Sequence, residues 1–226
     1  MFLVWMNYLI ASIKKTMKTS SLLREPANFY THIIPAILGI PAGYFLMLKA
    51  DTNIEILSVL IYTVCFVLLF ASSALYHGIP KTAEGIKQWR KLDHASIYLM
   101  IAGTYTPTLI ALYEGWVFWT LLTLQWSIVV FGIWSKISNR LMHHKLSLIL
   151  YLAMGWMVLL GVKTLYVKLP FDALMLLFGG GAFYSFGAWI YHLDKVKPNK
   201  GFHEIWHLFV VGGATCHYFY TYYFIF

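Results

Sequence analysis

The chain has 226 residues, of which 60% are hydrophobic and only 12% charged, with a formal net charge of +8. A soluble domain covers its surface with about a quarter charged residues, so this composition excludes a water-soluble globule and leaves no room for a separate soluble domain.

Residues 1–28 read as an N-terminal cytoplasmic or interfacial segment. Phe2–Ile13 is apolar but short, and Lys14 and Lys15 follow it instead of preceding it. A cleaved signal peptide has the opposite order. An interfacial helix or optional extension is expected there, with Met17 an alternative start.

Residues 29–226 read as a seven-helix transmembrane domain. Apolar runs of about 20 residues match the roughly 30 Å hydrocarbon core of a bilayer, and backbone amides in lipid must be satisfied within the segment, hence as helix. The runs are Phe29–Lys49, Ile56–His77, His94–Tyr113, Trp116–Ser135, Leu146–Tyr166, Pro170–His192 and Glu204–Phe226. Short connections make neighbours antiparallel, giving an all-α membrane protein, a seven-transmembrane-helix bundle. Cys65 and Cys216 fall inside these runs. Their spacing suggests no disulfide framework or thiolate site, and they read as small packing residues.

Lysine and arginine set the orientation. The N-terminal segment and the even-numbered connections carry 14 of them, from Lys14 to Lys200, whereas Lys49, Lys163 and Lys168 are the 3 on the other side. This predicts a cytoplasmic N-terminus and an outside C-terminus in a multi-pass protein of the plasma or inner membrane. The basic charge then faces the anionic inner leaflet, so nucleic acid is not needed to explain it.

Ionisable groups in membrane helices mark function. With this topology His77 closes the second span, Asp93 opens the third, and His203 and His207 open the seventh, all at one membrane level. His203 and His207 are i and i+4, one turn apart on one helical face, a geometry that lets two imidazoles take adjacent corners of one metal ion. Ser73 lies one turn before His77 on the same face. Three imidazoles leave a tetrahedral zinc one open position. Asp93 is placed to hold a water there, orient a ligand histidine, or act as base. Imidazole suits zinc but also copper, nickel and iron. Glu204, inside H-E-I-W-H, occupies the position of the general base in soluble zinc proteases or is simply a carboxylate favoured at a helix N-terminus.

Asn28 and His32 are expected to form a supporting network with Glu25, or an interfacial structural one. His94 is expected on a different face from Asp93, at the interface. His143, His144 and His192 lie at the same boundary as surrogate ligands. His217, mid-span, reads as a satisfied packing residue. Pro107 is expected to kink the third span, and Gly179–Gly181 to permit close helix approach instead of phosphate binding.

In order and spacing, several elements resemble the hemolysin III family, within the progestin and adiponectin receptor (PAQR) superfamily. They are E-P-A-N-F-Y-T-H at Glu25–His32, S-A-L-Y-H at Ser73–His77, D-H-A-S-I-Y at Asp93–Tyr98, A-G-T-Y-T-P-T at Ala102–Thr108, M-G-W at Met154–Trp156 and H-E-I-W-H at His203–His207. The resemblance implies a zinc held by one histidine of the second helix and two of the seventh, which are His77, His203 and His207 here, with Ser73 and Asp93 beside it. Ceramidase-like activity in some superfamily members implies a zinc-dependent hydrolase of lipid amides or esters. Its partners would be membrane lipids, with an acyl-chain substrate. The alternatives are a pore-forming cytolysin, as the family name suggests, and a receptor or sensor with structural zinc. Oligomeric state is not legible.

Overall fold

The computed structural model describes residues 23–79, 82–138, 144–197 and 201–226. The expectations for Phe2–Ile13 and His143 lie outside these residues. Every element among them is helical.

Helix α1 (Pro26–Met47) starts with proline in its first turn, where the missing N–H has no intrahelical partner to lose. Helix α2 (Asn53–Gly78) opens on a capping box. Thr52 Oγ1 accepts from the Glu55 amide, and Glu55 Oε2 accepts from the Thr52 amide, satisfying two orphan donors reciprocally. Helix α3 (Ala83–Leu112) is capped by Thr82, whose side chain accepts from the Gly85 amide. It begins well before the apolar run at His94, because Ala83–Leu92 is more polar but contains no proline, and its one glycine, Gly85, falls in the first turn. Asp93 therefore sits several turns inside the helix instead of opening it.

Helix α4 spans Gly115–Ile137. The fifth span is broken: α5 (His144–Trp156), a 3-10 turn at Met157–Gly161, then α6 (Val162–Lys168). Groups freed by the break find side-chain partners from neighbouring helices, as lipid requires. Tyr105 Oη donates to Gly155 O at 2.7 Å and accepts from the Val158 amide at 2.8 Å. Tyr113 Oη donates to Gly161 O at 2.9 Å, and Gln125 Nε2 to Met154 O at 2.9 Å. Helices α7 (Phe171–Val196) and α8 (Phe202–Phe224) complete the bundle.

Six spans are long and apolar enough to cross a membrane, counting the broken fifth as one, Leu146–Lys168. Helix α8 has the length, 23 residues, but its histidines, Glu204 and the tyrosines Tyr218, Tyr220, Tyr222 and Tyr223 lower its hydropathy. The chain is a multi-pass membrane protein.

Helix α3 is the axis: 56% of its apolar window is buried, against 22–33% in the other five spans. It packs on α2 and α4, α1 packs on α2, and α7 on α8. Helix α8 touches α1 more than it touches α2 along its length. Gly103 of α3 meets Cys65 of α2, where an added Cβ would lie 2.7 Å from the Cys65 Cβ; that cysteine fills a tight helix crossing. Outward aliphatics such as Ile34, Ile37 and Ile40 present an apolar face suited to lipid. Between α3, α5, α7 and α8 the packing is looser, and a cavity opens there.

Candidate metal centre

One end of the bundle gathers the N-termini of α1, α3 and α8 with the C-termini of α2 and α7. The segment before α1 is tied to the end of α2 by backbone bonds from Arg24 N to Gly78 O and from Glu25 N to His77 O. That clamp brings α1 between α2 and α8 and lets histidines from two non-adjacent helices meet.

His77, His203 and His207 each direct a nitrogen to a common point, with the three atoms within 4.8 Å of one another. Their ring centroids form a nearly equilateral triangle of 5.0, 4.9 and 4.9 Å. His77 and His207 are buried. His203 Nε2 and His77 Nε2 are 3.4 Å apart. Two nitrogens on a tetrahedral zinc with Zn–N near 2.05 Å stand about 3.4 Å apart, so the separation fits a shared ion.

The opposite ring nitrogens strengthen the fit. His77 Nδ1 meets Glu25 Oε2 in a short hydrogen bond. His203 Nδ1 is 3.2 Å from Asp194 Oδ2. His207 Nδ1 is 3.1 Å from Thr31 Oγ1. Thr31 already donates to Asn28 O, so its hydroxyl accepts from His207. Each ring thus gives its Nδ1–H to an oxygen and keeps a lone pair on Nε2, as metal-bound histidines do. His207 Nε2 has no hydrogen-bond partner. Two facing lone pairs repel unless a cation lies between them, so the donor set fits a metal.

Glu25 is itself held. Asn28 Nδ2 donates to its Oε2 at 3.0 Å, and Arg24 pairs with its Oε1 at 2.7 Å. Partial burial pushes the Glu25 carboxyl up. The hydrogen bonds from His77 and Asn28 and the Arg24 charge outweigh it and hold the pKa below the usual carboxylate value. The acceptor for His77 therefore stays ionised across the physiological range.

His32 stacks on His207, with centroids 3.8 Å apart and planes 9° from parallel. Glu204 is buried in the first turn of α8, but its carboxyl is not among the converging donors. Ser73 and Asp93 are buried and line the cavity beside His32. Asp93 does not join the converging set, and among the described residues no fourth histidine, cysteine or carboxylate does.

Other expectations change. His94 lines the cavity instead of lying at the interface. His192 is exposed and remote from the triad's donor set. Thr31 and Asp194 were not anticipated. Asp194 is the sole acidic residue among the lysines Lys195, Lys197 and Lys200, and Thr31 immediately precedes His32; those were the available signals.

The cavity measures about 150 Å³. It starts at His32, Ser73, Asp93 and Trp206 and runs inward past Ile97, Met100 and Val210 to Tyr184 and His217, with the fifth span along one side.

A helical membrane bundle with an open cluster of three histidines against an internal cavity is the class these features define. The family model for "Haemolysin-III related" proteins matches residues 20–218, and the chain belongs to that family. It is 39% identical to Hemolysin-3 of Bacillus cereus over 211 residues, 91% of this chain and 94% of the relative. A Hemolysin-3 homolog of Bacillus subtilis (strain 168) is 40% identical over 199 residues, covering 86% and 91%. The human monocyte to macrophage differentiation factor is 30% identical over 210 residues, covering 85% and 81%, consistent with the wider PAQR superfamily.

Proposed function

We propose that the protein is a zinc-dependent hydrolase of lipid amides or esters, with zinc on His77, His203 and His207. The observation that carries this reading is an open three-histidine donor set beside a cavity lined mainly by apolar side chains. Structural zinc sites are closed by four protein ligands, whereas catalytic ones keep a position free. A bound zinc supplies a Lewis acid and access to hydroxide at neutral pH.

The chain's own groups do the rest. Glu25, Asp194 and Thr31 fix the three rings in one tautomer and orientation. Asp93 and Ser73 line the cavity together with His32, whose ring stacks on His207 of the triad. The aspartate accepts a proton from the attacking water and returns it to the leaving group, and the serine orients the carbonyl or the water. The apolar cavity holds the acyl chain and keeps bulk water from the reacting bond. A pore needs polar groups along its whole path, whereas the middle of this cavity is lined mainly by apolar side chains.

In this reading α8 is a seventh span, the N-terminus is cytoplasmic, and the triad lies just beneath the inner leaflet. Its 23 residues rise about 34 Å at 1.5 Å each, enough for the hydrocarbon core. Zinc-loaded protein in nanodiscs, given long-chain amides and esters, should release free fatty acid. Asp93→Asn should lower turnover by about 10²–10⁴-fold with zinc content and helicity unchanged. Equal turnover in the variant would remove the proposed base, and no turnover in the wild type would remove the hydrolase.

A further inference from the structure

We propose that the deep end of the cavity is a binding subsite for a hydroxyl carried on the chain of an amphipathic lipid whose polar head lies at the triad. This rests on reading the cavity as the lipid site, and it narrows the ligand class to chain-hydroxylated lipids.

The two ends of the cavity are measured along two helices. From Asp93 to Thr104 on α3, and from Trp206 to His217 on α8, all four residues lining it, the chain advances eleven residues, about 16 Å of helix rise. Between these ends the wall is mainly apolar, with Ile97, Met100 and Val210. Tyr151 and Ser185 also line it, but their hydroxyls donate to His94 O and Gly181 O.

At the deep end the polarity returns in a specific form. His217 Nε2 lies 3.1 Å from the Leu177 carbonyl oxygen. A carbonyl only accepts, so Nε2 carries the proton and Nδ1 offers a lone pair. His217 Nδ1 is buried and has no partner. Tyr184 Oη is likewise buried with no partner, and its ring meets the His217 imidazole edge-on, with centroids 5.5 Å apart. Buried polar atoms are normally satisfied, and leaving them unpaired costs stability. Here an unpartnered acceptor and an unpartnered donor belong to two touching rings that line one cavity.

The backbone makes room for both rings. A Cβ at Gly180 would lie 2.3 Å from the His217 ring, and one at Gly213 would lie 2.9 Å from the Tyr184 ring. The two side chains are therefore held in place by glycines on the facing helix. A ligand carbonyl would satisfy only Tyr184, and a ligand N–H only His217. A hydroxyl satisfies both at once, accepting from Tyr184 Oη and donating to His217 Nδ1.

The test is equilibrium binding of three fatty acids to the zinc-loaded protein in nanodiscs: stearate, 12-hydroxystearate and 2-hydroxystearate. The hydroxyl of the second stands roughly as far from its carboxylate as eleven residues of helix; that of the third is beside the head. The expected result is about tenfold tighter binding of 12-hydroxystearate than of the other two, the gain of a well-made buried hydrogen-bond pair. Tyr184→Phe, which removes the hydroxyl donor, should abolish the preference of 12-hydroxystearate over stearate, with helicity by circular dichroism showing that the variant is folded. Equal affinity for stearate and 12-hydroxystearate would overturn the proposal, because water then serves the two groups equally well. So would a preference that survives Tyr184→Phe, or failure of every acid to bind. If the preference holds but no amide or ester is cleaved, the hydrolase reading fails and the subsite stands; cleavage without the preference has the reverse meaning.

Discussion

His207 and His217 lie on one face-to-interior helix, yet they present opposite nitrogens. His207 gives Nδ1 to Thr31 and turns Nε2 toward two other imidazoles. His217 gives Nε2 to the Leu177 carbonyl and leaves Nδ1 buried without a protein partner. The same residue type is a candidate metal donor at one end and, in the proposed subsite, a hydrogen-bond acceptor at the other. The difference comes from the neighbours. At the triad end, side-chain support converges from Glu25 and Thr31 at the start of α1 and from Asp194 near the end of α7. At the deep end a single backbone carbonyl fixes the ring, and there is no second imidazole to share an ion.

The sharpest way to break that contrast is to remove each histidine in turn. His207→Ala should take zinc content from one per chain to none after dialysis against a chelator, while His217→Ala should retain the metal. Equal loss in both variants would mean that the two rings serve one structural purpose. Next in size is the support for His77. Glu25→Gln keeps shape but loses the charge, and loss of such a partner typically weakens metal affinity by about 10–100-fold; competition with a chromophoric chelator measures it. Unchanged affinity would detach Glu25 from the centre.

At the deep end a smaller effect is expected from adjacent glycines. Gly180→Ala drives a methyl into the His217 ring, whereas a Cβ at Gly179 meets nothing within 4 Å. Overpacking of this kind costs about 1–3 kcal/mol, so Gly180→Ala should lower the melting temperature and Gly179→Ala should not. The smallest change is expected from Thr31→Val, which removes one neutral hydrogen bond to His207 and should weaken metal binding about fivefold, less than Glu25→Gln.

Much of the bundle was legible beforehand. Long apolar runs mark the helices because lipid leaves the chain few other solutions. His203 and His207 announce a shared face by their spacing. The rest depended on tertiary structure. The run Leu146–Tyr166 is unbroken in hydrophobicity, so its 3-10 turn could not be read from it; the partners that stabilise the turn, Tyr105, Tyr113 and Gln125, come from other helices. Helix α3 extends to Ala83 because its polar first turns sit beyond the apolar run. Thr31 and Asp194 have no periodic signature and matter only because the Glu25–His77 clamp and the α7–α8 packing bring them to the rings. The cavity is invisible to any one-dimensional pattern, since it is a gap between α3, α5, α7 and α8.

The central claim is that three imidazoles share one metal ion. X-ray absorption at the zinc edge, on protein purified without added metal and quantified by elemental analysis, addresses it directly. One zinc per chain is expected, with three nitrogen donors of imidazole character at about 2.0 Å and one oxygen neighbour. Metal-free protein, or zinc bound through sulfur, would contradict it.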